Sequence, residues 1–194
     1  MLTLILGLVL FFALHSIGLL APNWRQASMA RHGVIRWRVR YSMASLLAIA
    51  FIIMGFQEAR LAPTWIWFPP QWTRHASALL MLLALFCVGS SFSPNSTLQS
   101  KMGYPLLLAV KLWAFAHLLS NGALAEILTF GSFLIWSIVS FAVYRRRDRL
   151  AGVTYKTTGS ALVPNFFSLS FAMITWFVIA SYLHEMVLGV SPLF

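Results

Sequence analysis

The sequence predicts an all-α integral membrane protein, a bundle of six transmembrane helices with both termini on the outer, periplasmic side. Three observations carry that expectation. The chain of 194 residues is 60% hydrophobic and only 9% charged, against about 25% charged residues in a typical soluble domain. Its apolar residues gather into runs near the ~20 residues that a bilayer core requires. Its positive charge is bunched at the ends of those runs, with five arginines between Arg25 and Arg40 and four more between Arg145 and Arg149, where Lys and Arg normally hold cytoplasmic helix ends.

The first span is expected over 2–21. MLTLILGLVLFFALHSIGLLAP has no basic n-region and no clear small-x-small cleavage site, so it reads as a retained helix rather than a signal peptide. The second span follows over 41–58, and the third over 76–93. The third holds Cys87, the only cysteine, which excludes an intramolecular disulfide, an iron–sulfur cluster and a thiolate zinc site and reads as a small buried hydrophobe. The fourth (104–120), fifth (123–144) and sixth (166–188) complete a single domain over 1–194. Pro22, Pro94, Pro105 and Pro164 fall at or beyond segment ends, where a missing N–H does least damage. Residues 151–164 form a short polar linker, and LAPTWIWFPPQW, Leu61 to Trp72, reads as an interfacial aromatic loop.

Orientation follows from the loops. The linkers after spans one, three and five carry five, one and five Lys or Arg; those after spans two and four carry two and none. Odd-numbered linkers are therefore cytoplasmic, and the protein is a multi-pass protein of the cell inner membrane. The net charge of +10 does not point to nucleic acid, because a basic patch needs a folded reading module and none is visible. Membrane lipids, through their anionic headgroups, are the expected partners.

An ionisable group inside a span is costly and faces the bundle interior. The inventory is His15 in span one, Lys111 and His117 in span four, Glu126 early in span five, and His184 and Glu185 late in span six, with His75 just before span three. His32 reads as a cytoplasmic surface residue. Four histidines with almost no carboxylates do not make a proton relay. They either hydrogen-bond neighbouring helices or bind a metal, since neutral imidazole is a common metal and haem ligand. Ala114, Phe115, Ala116, Gly131, Phe133 and Trp136 suit the walls of a flat apolar cofactor. Lys111 lies seven residues after Tyr104, on the same helix face. It either snorkels to the cytoplasm or pairs with an anionic group such as a haem propionate.

The run YPLLLAVKLWAFAHLLSNGALAEILTFGSFLIW resembles the NnrU family of bacterial membrane proteins, in which HP opens the segment and HLLxNGD follows. FALHS in span one, RVRYSMASL entering span two, RHASALLML around His75 and the closing LHEMVLGVSP match the same pattern. The resemblance implies a role in nitrite and nitric oxide metabolism in denitrification, alone or with a membrane enzyme complex. The plant zeta-carotene isomerase of the same superfamily carries haem b, and its axial ligands match His15 and His117; Lys111 and Tyr104, on one helix face, are the further expected cofactor-binding residues. Tyr104 replaces the histidine of HP, Ala114 replaces a redox-sensitive cysteine, and Ala123 replaces the aspartate of NGD. Isomerase activity is therefore the weakest reading, although Glu126 remains one turn on to orient an imidazole.

Depth and motif disagree here. On straight helices His15 lies ~20 Å from the outer end of its span and His117 within ~5 Å of its own. His75, His117 and His184 share an outer depth and form a rival metal cluster, for a metal ion other than haem iron. The leading expectation is a haem b protein, an oxidoreductase or isomerase if it is an enzyme. The alternative is a cofactor-free assembly or interaction subunit.

Overall fold

A computed structural model of the chain describes residues 1–155 and 159–192. Residues 156–158 of the expected linker and the last two residues of the expected domain lie outside the described residues. Regular structure among the described residues is helical, apart from one antiparallel bridge between Trp65 and Ala123. The order is α1 (Leu2–His15), α2 (Ile17–Leu20), α3 (Pro22–His32), α4 (Val34–Leu61), α5 (Trp72–Phe92), α6 (Thr97–Met102), α7 (Pro105–Ser120), α8 (Leu124–Leu150) and α9 (Leu162–Val178). A π-turn (Ile179–Leu183) then leads into α10 (His184–Leu188).

Four stretches are long and apolar enough to cross a membrane: α4, α5, α8 and the continuous run Leu162–Leu188, at mean hydropathy 1.8 or 1.9. α1 and α7 are shorter apolar helices. The expected first span is broken at Ser16, so that α1 ends on His15. The expected second span begins earlier, at Val34, and runs through Arg36, Arg38 and Arg40. Arginine is a good helix former, and 28 residues make a helix of ~42 Å, so its basic turns extend past a ~30 Å hydrocarbon core. α8 continues through Arg145–Arg149 for the same reason. The α6 helix was not expected, yet its start is legible as Ser-x-x-Gln. The Ser96 side chain accepts from the Gln99 N–H at 3.3 Å, and Gly103 closes the helix at φ 77°.

The chain forms two compact units. The first comprises Met1–Ile66 with Ala123–Ser132. Within it α1 packs antiparallel on α4, with Leu4 against Gly55 and Gly7 against Ile52. A Cβ on Gly7 would stand 2.6 Å from the Ile52 nitrogen, so the backbones touch where only hydrogen fits. Thr3 Oγ1 donates to Glu58 at 3.0 Å near the end of this hairpin.

The second unit comprises Trp67–Gly122 with Phe133–Phe194. Its centre is α5, antiparallel to both α7 and α9. Ser77 Oγ donates to the Ala116 carbonyl at 2.6 Å, and Trp176 Nε1 to the Ala78 carbonyl at 2.8 Å. The interior of this unit is small and weakly polar: Ser90, Ser137, Ser140, Ala114, Ala116 and Ala172 are fully buried. Large side chains point outward, with Ile135 66% and Ile174 65% exposed. That inversion of the soluble pattern is how helices pack in lipid, where small residues let backbones approach and apolar bulk faces the solvent.

Candidate functional site

Antiparallel packing gives the second unit two chemically different ends. At one end are the start of α5, the end of α7 and the start of α10, which carry His75, His117 and His184. His75 is exposed in the first turn of α5. His184 directly follows the π-turn and donates from Nδ1 to the Val190 carbonyl at 2.6 Å. His117 is part-buried in the last turn of α7, within electrostatic reach of His184. Among the described residues no group of three or more His, Cys, Asp or Glu gathers as a metal site.

The His117 ring is held from its own helix. Its Nδ1 lies 2.9 Å from the Trp113 carbonyl. A carbonyl has no proton to give, so Nδ1 carries the hydrogen and, in the neutral ring, Nε2 keeps the lone pair. Trp113 stands 5.3 Å from the imidazole and meets Phe133 edge-on at 5.3 Å. Of the other expected wall residues in this unit, Ala114 and Ala116 are buried and Phe115 is 46% exposed.

The turn after His117 carries Asn121-Gly122, which the sequence marks as a sharp stop, and Ser120, whose tie to Ser77 sequence reasoning missed. Asn121 Nδ2 donates to the His117 carbonyl at 2.7 Å, capping an orphan helix acceptor. Ser120 donates to Ser77, whose own hydroxyl donates to the Ala116 carbonyl, tying α7 to α5. Gly122 accepts from the Trp67 N–H at 3.3 Å, and a Cβ there would collide with the Trp67 carbonyl. The Asn-Gly stop is thus an extended segment against the aromatic loop, and the Asn-Gly pair itself was its visible signal.

The opposite end of the unit holds Tyr104. Its ring stacks on Tyr144 at 5.3 Å and meets Tyr155 edge-on at 6.4 Å. Tyr155 donates to Asp148, and Arg145 lies 5.1 Å from the Tyr155 ring centre. Burial, and then the bond to Asp148, hold both the Tyr104 and the Tyr155 phenols above the ordinary value. Thirteen residues of helix put Tyr104 ~20 Å from His117 along α7, so these two expected cofactor residues stand at opposite ends. Lys111 lies between them, with Nζ 3.9 Å over the centre of the Phe141 ring in a cation–π contact.

In the first unit, His15 closes α1. Its Nδ1 lies 2.9 Å from the Phe11 carbonyl, its ring stacks on Phe11 at 3.8 Å, and Tyr41 lies 5.4 Å away. This is the same tautomer-fixing arrangement as at His117. Glu126 accepts from the Ala123 N–H at 2.9 Å and so caps the start of α8, one carboxylate oxygen being engaged there rather than at an imidazole.

Small-residue packing, apolar helices of spanning length and imidazoles fixed by backbone carbonyls define the class: a helical membrane protein with polar side chains held inside it. The chain belongs to the NnrU family, whose model, described as NnrU protein, matches residues 3–192. No curated protein and no solved structure is significantly similar to it.

Proposed function

We propose that this chain is a haem b-binding protein of the cell inner membrane, with His15 and His117 as the residues that would hold the iron, acting in redox or accessory chemistry of nitrite and nitric oxide metabolism. The observation that carries the reading is shared by the two part-buried histidines of the apolar helices; exposed His32 makes a similar bond, to the Ser28 carbonyl at 3.2 Å, but outside those helices. Each of the two gives Nδ1–H to the carbonyl four residues back, at 2.9 Å. That bond fixes the tautomer, orients the ring and raises the basicity of Nε2, as the outer partner of a ligating histidine does. Aromatic rings flank both, Phe11 and Tyr41 at His15 and Trp113 at His117. The donor set suits haem iron, which takes neutral imidazole in axial positions. When bound, haem b would supply a one-electron couple. The chain supplies oriented imidazoles and an apolar surround.

The same reading has six membrane crossings, with α1 and α7 added to the four long stretches, and both termini outside. Protein expressed with haem supply and purified in detergent should show a Soret band. His117→Gln and His15→Gln should each lower haem occupancy at least tenfold while the protein still elutes as a folded species, because an amide is a poor ligand for the iron. A wild type without a Soret band, or variants that keep theirs, would overturn it.

A second reading, a cofactor-free subunit of a membrane enzyme complex, is favoured by the aromatic loop, where Phe68 is 76% and Trp72 62% exposed. Co-purification of a partner with a colourless protein from native membranes would select it.

A further inference from the structure

At the Tyr104 end of the second unit a lateral groove of about 550 Å³ opens beside α6. Its walls are Phe86 on α5, Leu98 and Met102 on α6, and Phe166 and Leu169 on α9. Two polar residues also line it, Thr97 and Asn165, and they are committed to each other. The Thr97 N–H donates to Asn165 Oδ1 at 3.0 Å, and Asn165 Nδ2 donates to Thr97 Oγ1 at 2.8 Å. The walls therefore favour an apolar occupant over a water-soluble one. Among the described residues that line it, Lys101 is the one that ionises, and it is exposed on the last turn of α6.

The charge around the groove is positive. The stacking of Tyr104 on Tyr144 brings the start of α7 to the end of α8, so Lys101 lies at the same end as Arg145–Arg149. The carboxylate in that arginine run, Asp148, is already engaged by Tyr155. Basic pockets between membrane helices take anionic lipid headgroups.

We propose that the groove holds an acyl chain of an anionic phospholipid, with its phosphate on Lys101. The volume lies within the ~300–1,000 Å³ range of small-ligand sites, enough for the upper part of a chain whose remainder runs on into the bilayer. The site is independent of the haem reading, since it lies at the end of the unit away from His117.

The test is native mass spectrometry of the full chain released from nanodiscs containing equal phosphatidylglycerol and phosphatidylcholine. Wild type should retain a phosphatidylglycerol adduct in preference to phosphatidylcholine, undiminished by added inorganic phosphate. Lys101→Glu should lower that adduct about fivefold or more, as expected for losing a headgroup cation. Leu98→Trp should lower it similarly by filling the groove without changing charge, and Lys101→Arg should keep it. Far-ultraviolet circular dichroism establishes that each variant is folded. Equal retention of the two lipids by wild type, displacement by phosphate alone, or wild-type retention in folded Leu98→Trp would each overturn the proposal.

Discussion

An imidazole placed near a helix end has two nitrogens to account for, and the one tied to the backbone decides what the other can do. At His117 the i−4 carbonyl takes Nδ1, and Asn121 holds the carbonyl of the same residue, so ring and backbone are both fixed. The histidines were legible in the sequence because an ionisable group in an apolar run stands out. The tyrosine cluster was not, because Tyr104, Tyr144, Asp148 and Tyr155 are ordinary residues for a membrane interface until folding brings them together. That cluster makes a pH prediction. A phenol whose value is raised on folding contributes stability that is fully present below the unfolded value, 10.0 for Tyr155, and is lost as pH rises through the folded one. The melting temperature in detergent should therefore hold up to about pH 9 and fall above pH ~10. Tyr155→Phe removes the bond to Asp148, so it should lower the melting temperature at pH 8 and flatten the alkaline decline. A variant that melts like wild type at both pH 8 and pH 11 would show that the cluster contributes nothing.

The helices themselves were more legible than their ends. Hydropathy runs locate every long helix, but a run of arginines ends a hydrophobic segment without ending a helix. For that reason α4 and α8 extend past the expected boundaries. The π-turn before His184 left no sequence signal, since Ile179–Leu183 is as apolar as the α-helix it interrupts. Packing gives a sharper prediction. Gly7 and Gly55 lie where α1 and α4 touch backbone to backbone, and a side chain at either must push the helices apart. Gly55→Leu should destabilise the protein by about 1–3 kcal/mol, the usual cost of overpacking, read as a lower melting temperature. Gly131, on α8, has nothing within 4 Å of a Cβ position. Gly131→Ala is the control and should melt at or slightly above wild type, since alanine is the better helix former by about 1 kcal/mol.

The number of crossings is set by the whole chain, because each helix that spans reverses the side of everything after it. Suppose only the four long stretches cross and the arginines of 25–40 lie inside. Then α4 leads out, α5 leads back in, and α8 carries Arg145–Arg149 to the outside, against the usual placement of positive charge. A crossing by α7 removes the conflict and puts both arginine clusters inside. Packing supports it, since α7 runs antiparallel beside α5 and is tied to it through Ser77, Ala116 and Ser120. Its 16 residues span ~24 Å, short of a ~30 Å core, a mismatch that local thinning of the bilayer accommodates at modest cost. Alkaline phosphatase, active only outside the cytoplasm, distinguishes the two counts when fused after successive helices. With α7 crossing, fusions after Gly122 and at the C-terminus should be active and a fusion after Arg149 inactive. If the fusion after Arg149 is active and that after Gly122 is not, α7 does not cross and His117 lies at the cytoplasmic face.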